Sequence, residues 1–221
     1  MRSLNGTIGM STAVNDIVFW DVDTQRDFIE PDGKLYVRGS EAIRMNLSAL
    51  TRFGGEKGRL MGSLDAHTPR DTEFEDWPEH CVYGTPGQLK IPESTANRVL
   101  YIPSRKMTMN QLKEVLEFDG QVLFEKQMND VRTNPNVKPF LKMVQPNLIW
   151  IYGLVTEVCV DQAVKYLAHD LGYESFVVAD SIKEIDADKA RKCMAGWISM
   201  GVKTVETRSI LEGASAQIST G

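Results

Sequence analysis

The sequence predicts a single-domain three-layer α/β/α fold around a mainly parallel, six-stranded sheet of Rossmann-like type, and three observations predict it. Six apolar runs of strand length, at residues 16–23, 58–67, 121–126, 147–154, 175–182 and 202–207, mostly alternate with segments whose apolar residues recur at helical spacing. Several runs are nearly continuous in apolar residues, as expected of strands covered on both faces. Polar residues with chemical potential stand at the ends of four runs or just beyond, where such sheets bind ligands.

The first run, DIVFWDVD, ends in Asp21 and Asp23. Turn-rich PDGKLYVRGS follows, and Ile43, Leu47 and Leu50 then share one face of a helix expected from about 40 to 53. The second run, GRLMGSLDAH, ends in Asp65 and His67. Residues 68–88 are rich in Pro, Gly, acidic and aromatic side chains, the composition of a functional loop or lid. After the weaker RVLYIP stretch, a helix over 109–118 leads into QVLFEK, which ends at Lys126. A short helix from Asn134-Pro135 to about Val144 precedes NLIWIYGL. Cys159 then falls in the first turn of a helix that carries Val160, Ala163, Val164, Leu167 and Leu171 on its apolar side and is capped by Gly172. SFVVADSI, a helix over 186–201 and VKTVET complete the pattern.

The chain has 221 residues, enough for one sizeable core, and residues 16–221 are expected to form one domain behind a flexible extension, 1–15. With 25 Lys+Arg against 30 Asp+Glu and a net charge of −5, neither nucleic acid nor an anionic membrane is an expected partner. No run approaches the roughly 18 apolar residues of a membrane span, and no export signal is recognisable. A cytoplasmic protein acting on a small molecule, and assembling as a homo-oligomer, is the expectation. Three cysteines without an export signal point to reduced thiols.

A cysteine at a helix start lies where a thiolate is favoured and an oxyanion can be bound, although a small buried hydrophobe looks the same in sequence. Cys159 with Asp23 and Lys126 would make a nucleophilic site: a carboxylate to take the thiol proton and a cation to hold both anions. Asp21 and Asp27 compete with Asp23, because strand alternation puts Asp21 and Asp23 on one side. Asp65, His67 and His80 form a metal-ligand set suited to Zn²⁺ or a related divalent ion, with Glu73 and Glu75 between them as further candidates. Phe28 and Trp77 are candidates for sandwiching a flat ring. Cys81 and Cys193 read as packing residues, with some claim to reactivity left to Cys81 beside His80, and His169 reads as a partly exposed helical residue.

The segments VDTQRDF (22–28), LDAH (64–67), WPEHCVYGTPG (77–87), FEK (124–126) and GLVTEVCV (153–160) resemble the successive motifs of the isochorismatase-like cysteine hydrolases, most closely the nicotinamidase/pyrazinamidase branch. The resemblance spans about 16 to 207. It implies Asp23 as base, Lys126 as its partner and Cys159 as nucleophile, with a cis peptide between Leu154 and Val155 aiming the N–H groups of Val155 and Cys159 at an oxyanion. It further implies Asp65, His67 and His80 as metal ligands, Glu73 as an additional ligand, and Phe28 and Trp77 as walls of a pyridine pocket. The metal would be Zn²⁺ first, with Fe²⁺ and Mn²⁺ as alternatives, and the reaction the hydrolysis of nicotinamide to nicotinate and ammonia. Another small amide or ureide, or a catalytically silent metal-binding role, are the competing readings. The chain departs from the branch after Lys126, in QMNDVRTNPNVKPF, and residues 88–120 match no motif.

Overall fold

The computed structural model describes residues 17–218, with side chains to residue 213, so the expected extension over 1–15 lies outside the described residues. All strand pairings within the sheet are parallel, and the sheet has seven strands where the sequence predicts six. In chain order the strands are β1 (Ile17–Val22), β2 (Arg59–Asp65), β3 (Val99–Ile102), β4 (Gln121–Lys126), β5 (Leu148–Leu154), β6 (Ser175–Lys183) and β7 (Lys203–Val205). They lie side by side in the order β3-β4-β2-β1-β5-β6-β7. The additional strand is β3. It is four residues long, lies at the sheet edge and is largely half-exposed, so its apolar run, VLYI, is too short to mark a strand covered on both faces.

Among the described residues, seven α-helical segments accompany the sheet: α1 (Arg26–Ile29), α2 (Arg44–Lys57), α3 (Met109–Leu116), α4 (Val137–Val144), α5 (Asp161–Val164), α6 (Ala187–Ser199) and α7 (Thr207–Ile218). A 3-10 turn, Ser40–Ile43, leads into α2, which outlasts the expected end of that helix. Thr108 opens α3 with a reciprocal capping box to Gln111, the sequence signal for a helix start. α5 is flanked by π-helical turns, Thr156–Val160 before it and Lys165–Asp170 after it, so the helix that follows β5 is wider than an ideal α-helix along most of its length.

Strand alternation sorts the core into two layers. Val18, Trp20 and Val22 of β1 face one layer with Phe124, Phe140, Val160 and Trp197, and the Trp20 and Phe124 rings stack with centroids 5.9 Å apart. Phe19 faces the other with Leu47, Leu50 and Tyr152. Each such fully buried apolar side chain stabilises the fold by about 1.5–3 kcal/mol relative to exposure. Among the described residues, no helix is long and apolar enough to cross a membrane.

Candidate active site

The strand order decides what meets at the carboxyl edge. β4, β2, β1 and β5 are consecutive neighbours, with Asp65 opposite Lys126 and Val22 opposite both Ser63 and Gly153. Lys126, Asp65, Asp23 and Cys159 therefore line up along one rim, at or just past the ends of adjacent strands. Chain direction changes sides at β1, since β2 to β4 lie on one flank and β5 to β7 on the other. Open parallel sheets bind ligands at such a point.

All four side chains are buried, none more than 7 % exposed. The Lys126 Nζ lies 2.9 Å from Asp23 Oδ2, donates to Asp65 Oδ1, and stands 3.6 Å from the Cys159 sulfur. One atom each of Asp23, Asp65 and Cys159 falls within 4.8 Å of the others. Asp23 has φ +48°, which turns it off the end of β1, and its Oδ1 accepts a 2.8 Å hydrogen bond from the Ser63 hydroxyl. Burial pushes the Asp23 carboxyl up, against the pull of Lys126. Burial opposes the charge on Lys126, but Asp23, Asp65 and Cys159 together hold it well above the usual lysine range.

The sulfur departs from one expectation. A helix start favours a thiolate, yet burial raises the Cys159 thiol well above its ordinary range, with Lys126 pulling it down and Asp23 and Asp65 pushing it up. The turn that presents it is otherwise as the resemblance implies: the Leu154–Val155 peptide is cis, and Cys159 sits within the π-helical turn Thr156–Val160.

The three acids that compete in the sequence separate cleanly. Asp21 pairs with Lys90 at 2.9 Å in a buried cluster with Thr24 and Ser94. Asp27 accepts hydrogen bonds from the Cys81 and Lys34 backbone N–H groups and so ties α1 to two loops. Only Asp23 reaches the sulfur.

Beside this cluster, one atom each of Asp65, His67 and His80 lies within 4.8 Å of the others. His80 Nδ1 donates to the Pro78 carbonyl at 2.7 Å, which leaves its Nε2 as the free lone pair, 3.8 Å from Asp65 Oδ2. His67 Nδ1 is 3.2 Å from Asp71 Oδ2, and its Nε2 is buried without a hydrogen-bond partner, 3.8 Å from Asp65 Oδ1. One carboxylate and two imidazoles, oriented by protein oxygens behind them, fit a divalent ion of the zinc type. Glu73 lies on the 3-10 turn Thr72–Glu75, outside that converging trio, with a buried, unpartnered Oε2.

A narrow cleft joins the two clusters and is lined by Phe28, Leu35, Asp65, Glu73, Trp77, His80, Val155, Val158, Cys159 and Ile185. The sequence misses Leu35, Val158 and Ile185, and also Phe74, whose ring packs 5.1 Å from His67 and 5.7 Å from His80. Gln25 is another omission: its side-chain amide brackets the Asp65 backbone, donating to its carbonyl at 2.8 Å and accepting from its N–H at 2.7 Å. The Gln of VDTQRDF is its signal. The unusual segment after Lys126 contributes nothing to the cleft, and Arg132 within it reaches Asp170 and Gln162 on the helix after β5 instead. Cys81 is fully buried with its thiol raised by burial, and His169 is exposed beside Asp170, so neither joins the site.

An Isochorismatase domain model matches residues 102–209. The fold is shared at nearly full length with solved structures. The fold is isochorismatase-like. An isochorismatase-like hydrolase from Alkaliphilus metalliredigens superposes with a TM-score of 0.70 at 19 % identity, over 90 % of this chain and 98 % of the other. The pyrazinamidase of Pyrococcus horikoshii, solved in complex with zinc, gives 0.67 at 22 %, over 86 % and 99 %. N-carbamoylsarcosine amidase from Thermoplasma acidophilum gives 0.66 at 18 %, over 87 % and 96 %. No curated protein sequence matches the chain. The domain match includes Lys126 and Cys159, whereas Asp23, Asp65, His67 and His80 lie upstream of it.

Proposed function

We propose that the protein is a metal-dependent cysteine amidase that hydrolyses nicotinamide to nicotinate and ammonia. The observation that supports this reading most is the position of Lys126 Nζ, 2.9 Å from Asp23 and 3.6 Å from the Cys159 sulfur, where Cys159 lines a cleft together with Asp65 and His80. Asp65, His67 and His80 would hold the metal, which when bound supplies a coordination point for the ring nitrogen of a pyridine carboxamide.

Phe28 and Trp77 would flank the ring and hold the carboxamide carbon over Cys159. As the sulfur attacks, Asp23 takes the thiol proton, helped by the burial that makes its carboxylate more basic. Lys126 remains charged and steadies the thiolate as it forms. The backbone N–H groups of Val155 and Cys159 would receive the oxyanion. Asp23 then returns the proton to the departing amine as the C–N bond breaks, leaving a thioester and ammonia. Water deprotonated by the same carboxylate attacks the thioester, giving nicotinate and restoring the thiol.

The test is ammonia release from nicotinamide, pyrazinamide and a panel of ureides, with zinc-loaded protein. Cys159→Ala should lower turnover by at least about 10³-fold while zinc still binds. Activity on ureides alone would transfer the same chemistry to the substrate class suggested by the N-carbamoylsarcosine amidase likeness. Turnover of none of these, with Cys159 no faster than Cys81 or Cys193 toward iodoacetamide, would leave a silent metal-binding protein and end the amidase reading.

A further inference from the structure

Two residues upstream of the sulfur, Glu157 makes contacts that the reaction above does not use. Its Oε1 accepts hydrogen bonds from the backbone N–H groups of Ile185 and Asp186, at 3.0 and 2.6 Å. These residues belong to the connection between β6 and α6, nearly thirty positions further along the chain. The next residue along that connection also faces inward to structure: the Asp186 side chain accepts from the N–H groups of Asp188 and Lys189 and opens α6. Between the two anchors stands Ile185, which lines the cleft beside Cys159 although 49 % of it is exposed. Phe28, Leu35, Trp77, Val155 and Val158 complete the apolar part of the cleft lining.

A carboxylate that accepts two consecutive backbone N–H groups fixes a loop far more tightly than an apolar contact can, because charge-assisted bonds are about twice as strong as neutral ones. Glu157 shares a helical turn with the sulfur, so whatever it holds is held in register with the sulfur. A half-exposed isoleucine has little burial of its own to keep it over the cleft. Its position is set by the backbone on which it sits.

We infer that Ile185 is a specificity-determining residue that limits the width of group admitted to Cys159, and that Glu157 is the positioning residue that holds it there. The substrate side of this inference rests on the amidase reading; the access side does not. Flat, single-ring carboxamides pass beneath Ile185, whereas fused-ring carboxamides meet it.

Two measurements keep those sides apart. The first is the ratio of kcat/KM for nicotinamide to that for quinoline-3-carboxamide in the wild type and in Ile185→Ala, Glu157→Ala, Glu157→Gln and the Ile185→Ala/Glu157→Ala double variant. Ile185→Ala and Glu157→Ala should each lower the ratio about tenfold, chiefly through KM for the larger amide, the scale at which a few methylenes in a pocket discriminate. The double variant should match the single ones, because both act on one contact. Glu157→Gln, which keeps the accepting oxygen, should retain most of the wild-type ratio. The second measurement is the alkylation rate of Cys159, mapped by peptide mass, with iodoacetamide and with N-pyrenylmaleimide. Both alanine variants should accelerate the bulky reagent about tenfold and leave iodoacetamide within about twofold.

Equal changes with small and large reagents, or none, would overturn the inference whether or not the protein proves to be an amidase. Ile185 is half-exposed, so its variant tests the width limit even where Glu157→Ala lowers stability. Selective acceleration of the bulky alkylating reagent without any amide turnover would retain the cleft limit and discard the amidase reading.

Discussion

Lys90 is a cation held inside the protein, 7 % exposed, with its ammonium 2.9 Å from Asp21 and donating to the Thr24 hydroxyl. Thr24 in turn shares a 2.6 Å hydrogen bond with Ser94, and Gln121 binds the Ser94 carbonyl. Removing one partner of such a pair leaves the other charge buried and uncompensated, so Lys90→Met should cost about 3–5 kcal/mol in urea unfolding. The Asp21→Asn/Lys90→Met double variant should recover much of that loss, and a single-variant cost below about 1 kcal/mol would show that the pair does not secure the loop. This residue also explains a limit of sequence reading. Asp21 and Asp23 are two apart on a strand, and alternation gives them the same side; the distinction lies in the φ of +48° at Asp23 and in a lysine from a stretch without recognisable motif. Asp71 and Phe74 escaped notice for the same reason, since a loop carries no period that would aim their side chains at His67.

Among the elements, β5 and the turn after it leave the least room. Gly153 has φ +119°, and a Cβ there would come 2.0 Å from the Val22 carbonyl oxygen of β1. Gly153→Ala should cost about 3 kcal/mol or more, because the neighbour is backbone and cannot move aside, and its soluble yield should fall. Gly196→Ala, in the middle of α6 with nothing within 4 Å of the added carbon, should instead stabilise by about 0.8–1 kcal/mol. Equal urea midpoints for the two variants would contradict the crowding. Of the six strands that the sequence announced, β1, β2, β4, β5 and β6 have long apolar runs and β7 a short one. The one it left out is β3, whose Tyr101 is 44 % exposed, and β7 is shorter than expected, only Lys203–Val205. Thr207, expected to end that last strand, instead begins α7, its N–H and hydroxyl both bonded to Asp180. Period alone could not show that side-chain anchor.

Across the whole molecule the metal set draws on β2 and on the loop that follows it, and its test is correspondingly global. For metal-free protein, Zn²⁺ at about 100 times its Kd should stabilise the fold by about 2.7 kcal/mol. For a chain of this length that is a rise in Tm of about 5–10 °C. His80→Ala should abolish most of the rise, and an unchanged rise in that variant would place the ion elsewhere. The gathering of Asp23, Asp65, Lys126 and Cys159 on one edge was legible because a parallel sheet sends every strand's carboxyl end the same way. Which side chains touch was not, since strand order is a property of the assembled sheet.

That order has a consequence for synthesis. The central strand β1 is made first, yet its neighbour β5 arrives about 130 residues later, so on the ribosome its edge has no partner until most of the chain has emerged. The sulfur and the carboxylate that would take its proton are thus strangers for more than half of translation, and a nascent chain stalled before β5 would present an open, apolar strand to chaperones and to other copies of itself.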